Sequence, residues 1–325
     1  MRVPACVTAG LLVCAALGCG AKKSCLRAAP EVAGKPHKHL RFIFISPMRE
    51  EFFDPVKKGM EDAARMMGVE ATFTGPEHLD VKAQAAMVTR AVADGYDGIA
   101  VDIVDPVAFD DAVRSAVEKG VPVVAFNVDD NATPNARLGS VCQNLYQAGR
   151  TLGARALDFV PPNGKVLMTM HDEGVSALED RLRGAQEELG KKGVTWKVVV
   201  TTKEQARARE IITRALKDDP GIKTVLCTGQ ADTEAAGVVL EKAFAGKGYV
   251  AAGFDLSPDI LRLIKAGFIR FTIDQQPYIQ GFYSVIQLAL YCRYGIRPSN
   301  IDAGAALITG AEVDSVVELK KKNYR

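Results

Sequence analysis

An α/β fold built on parallel sheets, repeated as two comparable units in one chain, is predicted by three observations. From residue 40 onward, short apolar runs alternate with longer amphipathic ones, the pattern of a strand–helix series. The series breaks near "NVDDNATPNARLGSV" and then starts again. At 325 residues the chain is long enough for two domains, each with its own core. Helical crossovers make consecutive strands parallel and put helices on both faces of a sheet.

In the first unit the strand-like runs are Leu40 to Ile45, Val69 to Phe73, Gly98 to Asp102 and Val121 to Phe126, with helical patterns over 54–67, 81–94 and 107–119. The helix at 54–67 shows the logic. Val56, Met60, Ala63, Ala64 and Met67 recur at spacings of three and four, so they share a face and its methionines belong to the core. Pro55 suits a first turn, Asp54 can cap it and Gly68 can end it. After the break, a helical pattern over 144–159 leads to "KVLMTM", helix 176–190, "TWKVVV", helix 204–218 and "KTVLC". Helix 232–244, "YVAAG", helix 257–266 and "IRFTI" complete the second series. Trp196 falls in a strand run and is expected to be packed. A long helix over 277–294 follows, then "GIRPSNIDAGAALITG" and a basic end, "KKKNYR", expected to be solvated.

The N-terminal segment reads differently. After Met1 and Arg2, "VPACVTAGLLVCAALGCG" carries no charge until Lys22, which is the pattern of an export signal. Its length approaches the ~20 apolar residues of a membrane span, so an uncleaved anchor is the competing reading. The stretch "AALGC" resembles the lipobox of bacterial lipoproteins, with Cys19 as the acylated residue. Ala16 stands where leucine is usual, which leaves ordinary signal-peptidase cleavage as the alternative. Residues 20–39 lack hydrophobic periodicity and read as a tether. Within it, "HKH" is expected to be solvated, because a metal site needs more ligands. Cys25, Cys142, Cys227 and Cys292 lie far apart without CxxC spacing, so neither a zinc site nor a disulfide scaffold is predicted. Buried thiols are expected, with one long-range bridge as the alternative in an oxidising compartment.

Composition and motifs exclude several functions. The 41 basic and 39 acidic residues leave a formal charge of +2, which gives nucleic-acid binding no electrostatic support. A phosphate-cradling loop needs glycines, yet "SPMREEFFDP" after the first strand has none, and Glu50 and Glu51 would repel phosphate. No GxSxG elbow or Walker A sequence occurs. In the globular part His78 and His171 have only the local acidic neighbours Glu77 and Asp172, a pairing common on loops. Neither a catalytic triad, a metal cluster nor a cofactor site is predicted, and the chain reads as a non-enzyme.

What remains at the strand ends is a set of aromatic, amide, carboxylate and guanidinium groups. In open α/β sheets, ligands bind beyond the carboxyl ends of the strands. Phe52 and Phe53 follow the first strand, Asn127 and Asp129 follow "VPVVAF", Arg181 lies early in a helix, Asp255 sits in "AGFDLSP" and Gln275 in "FTIDQQP". A polyol suits such a set, since aromatic faces cover C–H faces while the polar groups pair with hydroxyls. The competing reading of each residue is structural. The phenylalanines could staple the helix start, Arg181 could pair with Glu179 or Glu187 at the surface, and Asp255, Asn127 and Asp129 could hold turns.

In this order and spacing, "ISPMREEFFDPVKKGMEDAARMMG", "DGIAVDIVDP", "VPVVAFNVDD", "RLRGA", "ADTEAAG", "AGFDLSPD" and "FTIDQQPYIQG" resemble the type I periplasmic sugar-binding proteins of ABC transporters, with the ribose-binding pattern nearest. The resemblance implies two Rossmann-like lobes joined by a three-segment hinge. It divides the chain into a lipoprotein-type signal over 1–19, a tether over 20–39, an N-terminal lobe of 40–140 plus 276–304, and a C-terminal lobe and tail of 141–275 plus 305–325. It also implies that Ser46 ends the first strand beside the cleft, that Phe52 and Phe53 sandwich the sugar ring, and that Arg181, Asp255 and Gln275 bind it. Glu50 replaces an asparagine of the ribose pattern, and Asn127 with Val128 replaces an Asp-Arg pair. Gln230, Ala231 or Asp232 stands for a later asparagine. These departures argue against ribose itself.

The expected protein is a monomeric, exported lipoprotein of the periplasm or cell surface that captures a monosaccharide or related polyol and delivers it to an ABC permease. A ligand-sensing subunit for a chemoreceptor or sensor kinase, and a nucleoside-binding lipoprotein, are the alternatives. A sugar-responsive repressor would need a DNA-binding helix-turn-helix where the export signal stands.

Overall fold

The apolar run at Arg41–Ile45 forms β1 and is buried at every position after Arg41, as a parallel strand covered on both faces must be. A computed structural model of the chain describes residues 39–105, 107–129 and 135–325, and these belong to one compact unit. The signal, Cys19, Cys25 and nearly all of the tether lie outside the described residues. After β1, a 3₁₀ turn at Glu51–Phe53 leads into α1 (Asp54–Met67), β2 (Glu70–Thr74), α2 (Val81–Ala93), β3 (Gly98–Val101), α3 (Asp110–Glu118), β4 (Val123–Asn127) and β5 (Gly139–Cys142). The second series runs α4 (Leu145–Ala156), β6 (Lys165–Met170), α5 (Ser176–Gly190), β7 (Thr195–Val200), α6 (Gln205–Asp218), β8 (Thr224–Cys227), α7 (Gln230–Ala243), β9 (Val250–Phe254), α8 (Pro258–Lys265) and β10 (Ile269–Asp274). Then come α9 (Pro277–Tyr294), β11 (Ile301–Asp302), β12 (Ala306–Ile308) and α10 (Val313–Lys320).

Two six-stranded sheets result, ordered β11-β5-β4-β3-β1-β2 and β12-β10-β9-β8-β6-β7. All pairings are parallel except β10 with β12. In the first sheet Ile45 lies opposite Thr74 and Val101, and Val101 opposite Ala125, so the carboxyl ends of these strands share one edge. The chain passes between sheets at 143–144, 275–276 and 303–305, which makes two α/β lobes joined by three crossings.

The same packing device recurs in both lobes. In α1, a Cβ on Gly59 would lie 2.0 Å from the Tyr278 carbonyl oxygen of α9, and one on Gly281 would lie 1.9 Å from that of Val56. In the other lobe, a Cβ on Gly149 of α4 would lie 2.1 Å from the Arg181 oxygen, and one on Gly184 of α5 would lie 2.1 Å from that of Tyr146. Only glycine allows backbones this close, so these contacts fix the helices that carry the strand-end residues.

Several local expectations change. Asp54 is the first residue of α1 and caps nothing; the preceding 3₁₀ turn, closed by Phe53 N–H donating to the Glu50 oxygen at 3.1 Å, delivers the chain already helical. Gly68 does end α1, with φ of 61°. The break after β4 contains β5, whose four residues are too short to announce themselves. Trp196 is 39% exposed, because β7 is an edge strand paired only with β6. The basic end is not simply solvated. After α10, the Tyr324 ring packs 5.1 Å from that of Tyr278, and Arg325 pairs with Asp274 at 2.6 Å. Cys142 and Cys227 are buried thiols, and burial raises the pKa of both.

Candidate functional site

The carboxyl-end edges of the two sheets border a cavity of about 630 Å³. From the first lobe it is lined by Glu50, Phe52, Phe53, Val104, Asp105, Asn127 and Val128. From the second come His171, Asp172, Arg181, Lys203, Gln205, Gln230, Glu234 and Asp255, with Gln275 at a crossing.

The first-lobe wall rests on a phenylalanine cluster. Phe53 is 4% exposed, with ring centroids 6.0 Å from Phe73 and 6.4 Å from Phe126. Phe52 is only partly buried and meets Phe53 edge to face at 5.0 Å. The expected aromatic pair therefore divides its labour. Phe53 joins the core and packs against Phe52, the more exposed of the two rings. Both rings line the cavity, and Phe53 also packs into the core as the stapling reading expects.

Asn127 ends β4 in a left-handed conformation, φ 62°, and its amide donates to Asp102 Oδ2 at 2.7 Å. Asp102 also accepts from Val128 N–H at 3.3 Å. Burial pushes the Asp102 pKa up to about 8 despite these two bonds. Behind it, buried Gln84 ties the Asp102 carbonyl at 2.7 Å to that of Ile45 at 3.3 Å, joining the ends of β3 and β1.

The second-lobe wall is polar. Arg181, 3% exposed, donates through Nε and Nη2 to Gln143 Oε1 at 3.2 and 2.8 Å and through Nη1 to the Thr228 carbonyl at 3.0 Å. Its guanidinium lies 4.0 Å from the Phe254 ring centroid, and Asp255 Oδ2 is 4.0 Å from Nη1. Burial lowers the Arg181 pKa, and the nearby carboxylates of Asp255 and Asp232 oppose that shift. Neither Glu179 nor Glu187 pairs with it. Glu179 accepts from Gly174 N–H, while Glu187 bonds Tyr146.

Asp255 has φ of 70° and accepts from Gln275 Nε2 at 2.7 Å. Left-handed conformations at non-glycine residues are costly and gather at functional sites; here Asn127, Asp255 and Gln276 adopt them at or just after the ends of β4, β9 and β10. Gln230 opens α7 at the cavity, Ala231 lines it, and Asp232 does not. Asp232 is instead buried and caps the helix, accepting from Thr228 and Gly229 N–H and from Thr169 Oγ1 at 2.7 Å. Burial raises its pKa to about 6.

Two of the expected residues stand off the cavity lining. The Ser46 hydroxyl donates to the carbonyls of Met48 and Thr74, bracing the loop after β1. Asp129 is held by Arg137 through two bonds. At the mouth, Lys203 Nζ lies 3.5 Å from Glu50 Oε1 and joins the two lobes. Lys203, Gln205 and Asp105 were not singled out by sequence. Thr202, with φ of 71°, turns the chain to present Lys203, and no sequence signal marks that turn. Among the described residues no cluster of histidine, cysteine or carboxylate side chains could hold a metal ion.

Comparison with known proteins bears on this geometry. The profile of the periplasmic binding protein domain matches residues 42–295. A xylose/arabinose-binding protein of Sulfolobus acidocaldarius is 30% identical over 293 residues, covering 85% of this chain and 73% of its own. The ribose import binding protein of Bacillus subtilis is 26% identical over 78% of this chain and 82% of its own. A carbohydrate transporter from Acidothermus cellulolyticus, solved with myo-inositol, superposes with a TM-score of 0.77 at 29% identity, over 89% of this chain and 100% of that one.

Proposed function

The chain belongs to the periplasmic binding protein family, and from that premise we propose that it captures a monosaccharide or related polyol between its lobes and delivers it to an ABC permease. The observation that carries this reading is one cavity with a phenylalanine face on one side and Arg181, Asp255 and Gln275 on the other. A sugar ring offers both chemistries, an apolar C–H face for Phe52 and hydroxyls for the polar wall. Arg181 has five N–H donors, of which three are engaged, so two are left for hydroxyl oxygens. Asn127, Gln230 and Glu50 would complete the contacts, while Ser46 and Asp129 would act by bracing the loops. The relatives' sugar specificities support the ligand class.

Delivery would depend on closure. A ligand that touches both lobes at once binds the closed form better and shifts the population toward it by that difference in affinity. This reading makes the working protein a monomer of the periplasm or cell surface, tethered by lipid on Cys19, with no nucleic-acid partner. Calorimetric titration against D-xylose, D-ribose, D-allose, myo-inositol and adenosine tests the ligand class. One-to-one binding of a sugar or the inositol is expected. Binding of adenosine alone, or of none, would overturn the reading.

A further inference from the structure

Gln143 lies in the first crossing, is 3% exposed and does not line the cavity, yet it touches the cavity's buried cation. Its Oε1 accepts from Arg181 Nε and Nη2 at 3.2 and 2.8 Å. Its Nε2 donates to the Gly304 carbonyl in the third crossing at 2.8 Å. Arginine has no acceptor, so the amide can face it only with oxygen, which leaves the nitrogen for the carbonyl.

The second crossing mirrors this arrangement. Gln276 Nε2 donates to the Ala303 carbonyl at 2.7 Å, and its neighbour Gln275 holds Asp255. Gln143 and Gln276, from two crossings, therefore grip adjacent carbonyls of the third, but only Gln143 also bonds a charge of the cavity wall; in the second crossing that contact belongs to the neighbouring Gln275.

We propose that Gln143 is a positioning residue that holds the Arg181 guanidinium toward the ligand and couples it to the hinge through Gly304. The inference rests on the cavity being the ligand site. Gln143 fixes which Arg181 donors are engaged, so its loss frees the guanidinium to turn. Its second bond makes a change at Arg181 felt at the third crossing, the segment that must flex when the lobes close.

Two variants separate the bonds. Gln143→Leu removes both; Gln143→Glu keeps an acceptor for Arg181 and removes the donor to Gly304. The probes are D-xylose, D-ribose, D-allose and myo-inositol by calorimetry, with thermal melting and amide hydrogen exchange at Ala303 and Gly304 in the ligand-free protein. Gln143→Leu is expected to bind at least about tenfold more weakly and to melt lower, in line with an unpaired buried charge. Gln143→Glu is expected to regain the melting temperature while exchange at the two hinge amides stays faster than in wild type. Wild-type affinity in Gln143→Leu, or unchanged hinge exchange in both variants, overturns the proposal. Failure of the wild type to bind any probe sinks the sugar reading instead, and the exchange comparison still decides the link between Gln143 and the hinge.

Discussion

The wall that the first lobe gives the cavity is aromatic and the wall that the second gives is a hydrogen-bond network, although the same glycine-to-backbone helix contact holds each in place. Phe52 rests on Phe53 and the rings beyond it, contacts that are non-directional and individually small. Arg181 is held by three directed bonds to Gln143 and Thr228, each at a fixed angle. The difference predicts how each wall fails. A packed wall loses affinity or stability by degrees, whereas removal of Arg181 leaves two buried acceptors, Gln143 Oε1 and the Thr228 carbonyl, unpaired together.

The largest effect is expected from Arg181→Ala. The change leaves Gln143 Oε1 and the Thr228 carbonyl without their donor, and it should cost about 3–5 kcal/mol of unfolding free energy in denaturant titration and abolish sugar binding. A variant that still bound sugar tightly would break the comparison at its polar side.

The aromatic side is sharpened by its two phenylalanines. Phe53→Ala should lower stability by about 3–4 kcal/mol because the ring is buried. Phe52→Ala should cost less than half of that in stability, because the ring is only partly buried, but weaken sugar binding about tenfold by loss of a ring that lines the cavity. Equal affinity in wild type and Phe52→Ala, read by titration, would remove the aromatic wall from the binding account.

A smaller effect concerns Asp102, the carboxyl behind Asn127. Its pKa is raised in the folded state from the ordinary 3.8 to about 8. The folded protein therefore holds a proton that the unfolded chain releases, and this contribution to stability is complete below 3.8, declines across the interval and is gone above about 8. Asp102→Asn should flatten the fall in melting temperature between pH 5 and 8, roughly the window those two values set. A profile as steep as wild type would place the proton elsewhere. The smallest effect belongs to the mouth. Lys203→Met should weaken ligand binding by less than about 1 kcal/mol and reduce its dependence on salt, since the pair with Glu50 is exposed.

The fold was largely legible because its signals are local. The apolar runs and the spacing of three and four in α1 need no tertiary context, and the restart of the series after residue 142 reveals the second lobe. What the sequence hid depends on partners distant in the chain. β12 runs antiparallel by pairing with β10, and the order of Tyr324 and Arg325 depends on Tyr278 and Asp274. At the candidate site, residues in distinctive motifs such as Arg181 in "RLRGA" and Asp255 in "AGFDLSP" could be singled out. Gln143 and Lys203 sit in loops without a distinctive motif; the packing of α4 on α5 brings Gln143 to Arg181, and the meeting of the lobes brings Lys203 to Glu50. Phe53 was legible as an aromatic at the right place, but its retreat into the core follows from Phe73 and Phe126, residues of other strands.

The central claim is that both walls act on one ligand, and a crystal structure of the protein with its tightest-binding sugar tests it most directly. The account predicts the ring's C–H face against Phe52, with hydroxyls on Arg181, Asp255 and Gln275. A ligand bound away from the cavity, or one that turned its hydroxyls to Phe52 and left Arg181 untouched, would contradict it.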